Sequence, residues 1–170
     1  MELLIPGLIL VALMVWASTK IKRDADAAFG EESIETDVLT VRKPDGFLHV
    51  LNDDSDLAFR AYSKEYGSGE ANGIRKAIIE IEIFDGIDPE ERFAELAAEY
   101  AKLANVEKLV DDNAISFSTE FVDDELEFKR IYRLIGRSDR LYETRITILA
   151  KYKEEFDSKI EKFVGSFQAK

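Results

Sequence analysis

The N-terminal segment restricts the possible folds of this chain more than any other feature of its sequence. No charged residue occurs between Leu3 and Thr19, a run of about 17 residues that would extend about 26 Å as an α-helix. This length is just enough to cross a thin hydrocarbon core. We therefore predict a transmembrane helix over residues 3–19, with the lipid bilayer as its partner.

Details within this run favour a retained anchor over a cleaved signal peptide. Pro6 lies in the first turns of the predicted helix, where its missing N–H costs little, and Trp16 suits the membrane–water interface. A signal peptide has basic residues before its apolar run, whereas Glu2 precedes this one. Gly7 and Ala12 are small enough to form a face that packs against other transmembrane helices. Leu3 is the first residue of the predicted anchor.

Basic residues directly after the run set the predicted orientation. Lys20, Lys22 and Arg23 follow the uncharged segment, and the positive-inside rule keeps such residues in the cytoplasm. We predict an inner (cytoplasmic) membrane protein that crosses once, with its N-terminus outside and its soluble domain cytoplasmic. The opposite orientation and a processed signal remain as alternatives.

Composition limits the remaining possibilities. The 170 residues, 46% of them hydrophobic, suffice for one cored domain plus an appendage. A net charge of -12 would repel phosphate backbones, so nucleic acid is not expected as a partner. The absence of cysteine excludes disulfides and thiolate metal sites, and the single histidine, His49, disfavours zinc and haem.

Periodicity after the anchor predicts an α+β domain. Asp88 and Pro89 have the residue types of a helix N-cap and first helical position, and they precede an apolar stripe at helical spacing. We divide the chain into an anchor with its basic flank, a stalk and a soluble domain, over residues 1–23, 24–33 and 34–170. Predicted strands cover 34–41, 47–51, 57–66, 74–84, 106–110, 114–122, 126–135 and 141–149, and predicted helices cover 88–104 and 151–168.

This order of elements, with a closing helix that ends in the segment from Glu161 to Phe167, resembles the PsbP-like domain family. That family includes an extrinsic photosystem subunit and, more distantly, a Ran-binding nuclear-import factor. The resemblance covers residues 34–167. It implies an antiparallel sheet of about six to seven strands flanked by helices, used as a binding or assembly module and not as an enzyme. The family has no sharp catalytic motif, and no functional residue is carried over.

One acidic loop has some features of a calcium site. Asn52, Asp54 and Asp56 alternate as at the start of an EF-hand loop. Leu57 replaces the required glycine, and Ser63 stands where the bidentate glutamate should be. A solvated acidic turn is therefore the preferred interpretation.

Two further patterns are candidates for chemistry. The glycines of residues 67–73 have the wrong spacing for a phosphate loop and precede a strand. His49 could act as a general base with Ser55 or Ser63 as nucleophile, but nothing in the sequence orders them. We assign no catalytic, cofactor-binding or metal-binding residue, and we expect no cofactor.

Arginine and lysine are concentrated late in this acidic chain. If several share one face, they form a positive patch for a partner or for lipid phosphates. Alternatively, they neutralise acidic residues on neighbouring strands. The residues are Lys129, Arg130, Arg133, Arg137, Arg140 and Arg145.

The sequence thus favours a membrane-tethered, non-catalytic interaction or assembly module, such as an accessory subunit of a larger inner-membrane complex, for example a respiratory one. One alternative is a membrane-bound enzyme or small-ligand binder with a pocket between the sheet and the helix over 88–104. Another is a divalent-cation-responsive domain that uses the acidic loops.

Overall fold

The structure, a computed structural model, describes residues 4–51, 55–67, 73–100, 103–109 and 114–170, with the side chains of residues 4–8 and 103–109 outside the description. The helices are α1 (Leu4–Ala28), α2 (Pro89–Glu99) and α3 (Lys153–Ser166). The strands are β1 (Glu32–Glu35), β2 (Leu39–Lys43), β3 (Phe47–His49), β4 (Phe59–Ser63), β5 (Ala77–Asp85), β6 (Leu103–Leu109), β7 (Ala114–Asp123), β8 (Leu126–Arg137), β9 (Arg140–Leu149) and β10 (Gln168–Ala169).

Antiparallel sheets form the body of the domain, as the sequence predicted. The larger sheet has seven strands in the order β3-β4-β5-β9-β8-β7-β6, and a smaller one has the order β1-β2-β10. β5 alternates as expected, with Ala77, Ile79 and Ile81 fully buried. β5 pairs with β9 over nine residues, so the chain brings the first and last parts of the large sheet together at its centre.

Helix α3 covers one face of the large sheet. Its buried residues Phe156, Ile160 and Phe163 join the cluster formed by the inward side chains of β5 and β9. The ring of Phe163 stacks on that of Phe59, with centroids 5.6 Å apart. Helical spacing of apolar residues in the closing helix thus produces the main core.

Helix α2 covers part of the opposite face. The Asp88 side chain accepts a hydrogen bond from the Glu90 amide at 2.8 Å, which confirms the predicted N-cap. Leu96 is buried against the β7–β8 part of the sheet, and the ring of Phe93 meets that of Phe117 edge-on at 5.2 Å. The helix ends at Glu99 instead of continuing to 104.

The first predicted strand and the predicted closing helix also differ from the structure. Residues 34–41 do not form one strand, because Thr36 turns the chain between β1 and β2. The Thr36 hydroxyl accepts from the amides of Val38 and Leu39, a side-chain turn that competes with extended backbone. The predicted closing helix extends to 168, whereas α3 ends at Ser166 and Gln168 begins β10.

Two-residue turns join the last three long strands, in the gaps between the predicted strands over 114–122, 126–135 and 141–149. Asp124 and Glu125 between β7 and β8, and Ser138 and Asp139 between β8 and β9, all have positive φ. Two consecutive residues with positive φ form the two-residue hairpin turn whose twist matches that of the flanking strands. Both hairpins therefore hold their register through backbone geometry that usually favours asparagine or glycine.

Within the part of the chain that the structure describes, no helix is long and apolar enough to cross a membrane. The predicted transmembrane helix over residues 3–19 is therefore not supported. In α1 the uncharged stretch ends before Lys20, and charged residues recur through Asp26. Leu3 lies outside the described residues, as do the side chains of Pro6 and Gly7.

Candidate functional site: helix α1 and its junction with the domain

Helix α1 exposes apolar side chains in every direction. From Ile9 to Trp16 the large residues are between 57% and 64% exposed. Successive helical residues are about 100° apart, so this stretch has no face turned to a core. The predicted anchor residue Ala12 within this stretch is also exposed. So are the basic residues Lys20, Lys22 and Arg23 that follow it. An apolar surface of this kind is expected where another apolar phase or molecule covers it.

At its other end α1 is fixed to the domain by a buried lysine. The Lys43 side chain is 0% exposed, and its ammonium donates to the carbonyls of Ala28 at 2.9 Å and Phe47 at 2.8 Å, and also to that of Gly30. The carboxylate of Glu32 lies 4.0 Å away. Burial lowers the pKa of Lys43. This lysine donates to the carbonyl of the last residue of α1, where a positive charge is favourable.

Backbone and surface contacts complete this junction. The Gly46 amide donates to the Phe29 carbonyl at 2.7 Å. Gly46 has φ +85°, a backbone conformation that favours glycine, and a Cβ there would lie 3.1 Å from the ammonium at the end of the flexible Lys159 side chain. The ammonium of Lys64 lies 5.5 Å from the Phe29 ring centroid. α1 thus meets the domain at the end of the sheet where β3 starts and β4 stops.

A second polar arrangement lies beneath α2. Glu143 on β9 is 1% exposed, and its Oε2 accepts from Arg92 Nε at 2.7 Å. Arg145 Nη1 lies 3.8 Å from Oε1 of the same carboxylate and Arg145 Nε donates to Glu80 at 3.0 Å. Burial disfavours the charge of Arg92, but the hydrogen bonds to Glu143 and Glu95 outweigh it and raise the pKa. These contacts join α2 to the centre of the sheet.

The late basic residues do not come together on one face. By strand alternation Lys129 and Arg133 lie on the α3 face of β8, whereas Arg145 lies on the α2 face of β9. Arg137 and Arg140 flank the β8–β9 turn. Ion pairs with neighbouring carboxylates, which the sequence left as the alternative to a patch, form at Arg145 with Glu80 and at Arg140 with Asp85, the latter at 3.2 Å. Arg130 donates to Thr147 and to the Tyr100 hydroxyl.

His49 lies away from α2. It is on the face of β3 that α3 covers, and its ring stacks on Phe59 with centroids 5.1 Å apart. Burial lowers its pKa below the ordinary value. The interface between the sheet and α2, where the enzyme alternative places its pocket, contains packed Phe93 and Leu96. A cavity of about 240 Å³ at the start of α2 is lined by residues 86–89 and 136–140.

The acidic loop and the glycine segment fall partly outside the described residues. Asn52 and Asp54 lie outside them, as does Gly69, while Asp56, Gly67 and Gly73 lie within them. Among the described residues no group of three or more His, Cys, Asp or Glu side chains could hold a metal ion.

Comparisons with known proteins give the fold. A mutant of Mog1 superposes with a TM-score of 0.56 at 10% identity, over 82% of this chain and 95% of that one. LpqN of Mycobacterium tuberculosis, described as involved in cell envelope biogenesis, gives 0.52 at 8% identity, over 82% and 90%. The chain has the fold of Mog1 and LpqN. It is the fold that the PsbP-like resemblance predicted.

A solution structure of cyanobacterial PsbP (CyanoP) from Synechocystis sp. PCC 6803 also matches, with a TM-score of 0.49 at 13% identity, over 83% of this chain and 92% of that one. No protein-family model and no curated protein sequence matches the chain. At such low identities the likeness concerns the fold alone.

Sequence reasoning missed the junction at Lys43. The predicted strands over 34–41 and 47–51 leave Lys43 between them, so no predicted element includes this residue. Its one available signal was strand alternation: Leu39 and Val41 point inward, so Lys43 at the next position of the same face points inward too.

Proposed function

We propose that this protein is a non-catalytic interaction module held at a membrane through α1. The single observation that carries the proposal is the exposure of apolar side chains around the whole circumference of α1 from Ile9 to Trp16. Water is a poor environment for such a helix, whereas a bilayer or a partner's transmembrane helices would cover it. The soluble domain that follows α1 is then the part of the protein that binds a partner.

The charges around α1 support a cytoplasmic position for the domain. Lys20, Lys22 and Arg23 follow the apolar stretch, and the ammonium of Lys20 lies 5.5 Å from the ring centroid of Trp16. A tryptophan beside a lysine is the pairing that the membrane–water interface favours. We therefore propose an inner-membrane location with the N-terminus outside. An accessory role in a larger membrane complex, such as a respiratory one, is the corresponding function.

Fold likeness gives weaker support for the non-catalytic part of the proposal. Mog1 and LpqN share the architecture, and the interface between sheet and α2 is packed with apolar and aromatic side chains. The proposal therefore assigns binding to exposed surfaces of the domain and not to a deep pocket.

Membrane attachment through α1 can be tested with a matched pair of variants. Val11→Arg with Val15→Arg places two charges in the apolar stretch, whereas Ala25→Arg with Ala27→Arg adds the same charge to the exposed end of the same helix. We expect the wild type and the second variant to remain in the membrane fraction after alkaline extraction, and the first to be released. Release of all three, or retention of all three, would contradict the proposal.

A further inference from the structure

Lysine and tyrosine side chains form one continuous surface beside the α1 junction. The ammonium of Lys151 lies 3.7 Å from the Tyr66 ring centroid, and that of Lys76 lies 4.2 Å from the Tyr152 ring centroid. The two tyrosine rings meet edge-on at 6.3 Å. The Lys64 carbonyl accepts from the Lys76 amide at 3.3 Å, which continues the β4–β5 register and places the two lysines opposite each other on one face of the sheet. We call these five residues the lysine–tyrosine surface.

This surface begins where α1 ends. Lys64, which contacts the Phe29 ring, directly follows β4, and Lys76 directly precedes β5. The Leu149 amide donates to the Lys76 carbonyl at 2.9 Å, so the residues after β9 lie at the same end of the sheet. The lysine–tyrosine surface and the α1 junction are therefore neighbours on one end of the domain.

We infer that the lysine–tyrosine surface rests on the headgroups of an anionic lipid bilayer. Three lysines meet there in a chain whose net charge is -12, and lysines near an anionic leaflet are each attracted to it. Tyrosine adds an amphipathic ring suited to the headgroup level. The inference rests on the proposed function, because α1 must first hold this end of the domain near the bilayer.

The length of α1 permits this contact. Ala28 lies nine residues after Thr19 in the helix, which corresponds to a rise of about 13 Å. The headgroup region extends about 5–7 Å beyond the hydrocarbon core on each side. A gap of about 6–8 Å remains, which is comparable to the length of an extended lysine side chain.

Acidic groups at the same end of the sheet give the contact a direction. Glu65 is held by Arg75 at 2.9 Å, and Glu154 and Glu155 start α3. The β7–β8 turn carries acidic residues Asp123, Asp124 and Glu125. This turn joins the strands two and three places from β5, about 10–14 Å away across the sheet. An anionic surface would attract the lysine side of this end and repel the acidic turn, so the domain sits tilted.

Single cysteines can report this tilt, since the chain has no native cysteine. Full-length protein is reconstituted in vesicles of phosphatidylcholine alone, or with about one-third phosphatidylserine, and carries a fluorophore at Glu155→Cys, Glu125→Cys or Ser138→Cys. A quencher is attached to the lipid headgroups. The third label lies at the β8–β9 turn, at the opposite end of the sheet. We expect quenching to rise with phosphatidylserine at position 155 only.

The test variant is Lys64→Gln with Lys76→Gln and Lys151→Gln. Its matched control replaces Lys129, Lys153 and Lys162, which lie outside the lysine–tyrosine surface, by glutamine. Each surface lysine shifts the docking equilibrium about fivefold, so the test variant should shift it about 100-fold and lose the lipid-dependent quenching. Thermal melts check that both variants fold.

Two outcomes would overturn the inference: equal quenching at position 155 in both lipids, or lipid-dependent quenching that persists in the test variant. Flotation of the same vesicles separates the two proposals. A chain that floats without lipid-dependent quenching contradicts only the lysine–tyrosine surface. A chain that does not float contradicts the proposed attachment through α1, and the inference fails with it.

Discussion

Arg92 on α2 and Glu143 on β9 form the closest ion pair beneath the helix, with Nε and Oε2 2.7 Å apart and the carboxylate 1% exposed. The pair fixes α2 at the centre of the sheet, where the buried charge of Glu143 must be compensated. Loss of one partner should therefore cost more than loss of a surface ion pair.

We expect Arg92→Met to lower the free energy of unfolding by about 3 kcal/mol, at the low end for a broken buried pair because Arg145 remains 3.8 Å from the carboxylate. Glu143→Gln should cost less, since it removes the buried charge itself. Urea denaturation would measure both. The control is Arg42→Met, whose partner Glu31 is exposed, with an expected change of about 0.5 kcal/mol or less. Equal effects at the two arginines would contradict this account.

The Lys43 junction predicts a local effect. Lys43→Met keeps the apolar stem but removes the donor for the carbonyls of Ala28, Gly30 and Phe47. We expect a loss of about 1–3 kcal/mol for unsatisfied buried acceptors, and faster amide hydrogen exchange at Gly46, which bonds the Phe29 carbonyl. Lys159→Met, near the same glycine, is the comparison and should leave that exchange unchanged. Uniformly faster exchange across β5 and β9 would indicate global destabilisation instead.

His49 makes stability depend on pH in a defined direction. Burial lowers its pKa in the folded protein below the ordinary value of 6.5, so the unfolded chain takes up the proton first as the pH falls. The free energy of unfolding should therefore decrease as the pH is lowered from about 6.5 through the folded pKa. His49→Gln should remove this part of the pH dependence of the free energy of unfolding. Urea denaturation at several pH values between about 8 and 5 would measure it. An NMR titration of this single histidine would contradict the account if its pKa were about 6.5 or higher.

The β7–β8 turn offers a stabilising substitution. Glu125 has φ 64°, a conformation that favours glycine. We expect Glu125→Gly to raise the free energy of unfolding by about 0.5 kcal/mol, the relief of backbone strain exceeding the greater entropy of the unfolded chain. Glu125→Val, with a β-branched side chain in the same conformation, should destabilise the protein. Thermal denaturation compares the two, and the reverse order would show that the turn has a different backbone.

Local patterns determined most of the secondary structure. The alternation of Ala77, Ile79, Ile81 and Ile83 with Glu80 and Glu82 identified β5, and Asp88-Pro89 identified the start of α2. Neighbouring residues set both strand periodicity and helix capping. The late hairpins lie where the gaps between the predicted strands over 114–122, 126–135 and 141–149 placed them. The sequence by itself likewise determined that an uncharged apolar stretch precedes a basic flank.

Only the tertiary structure decided which distant residues meet. β10 is two residues long and exists because Gln168 and Ala169 pair with Thr40 and Leu39 of β2. No local period encodes a pairing between segments so far apart in the chain, so the sequence predicts a closing helix that continues through residue 168. Thr36 similarly divides a predicted strand, through hydrogen bonds that its β propensity does not reveal.

The same limit applies to the candidate site. The sequence contains an apolar helix and lysines at scattered positions. Charge and hydropathy do not indicate which of these residues are neighbours in space. Burial of Lys43 under the end of α1, and the meeting of Lys76 and Lys151 with two tyrosines, depend on how β4, β5 and β9 align at one end of the sheet. Alignment of that kind follows from packing the whole core, a property of the complete chain that no single segment carries.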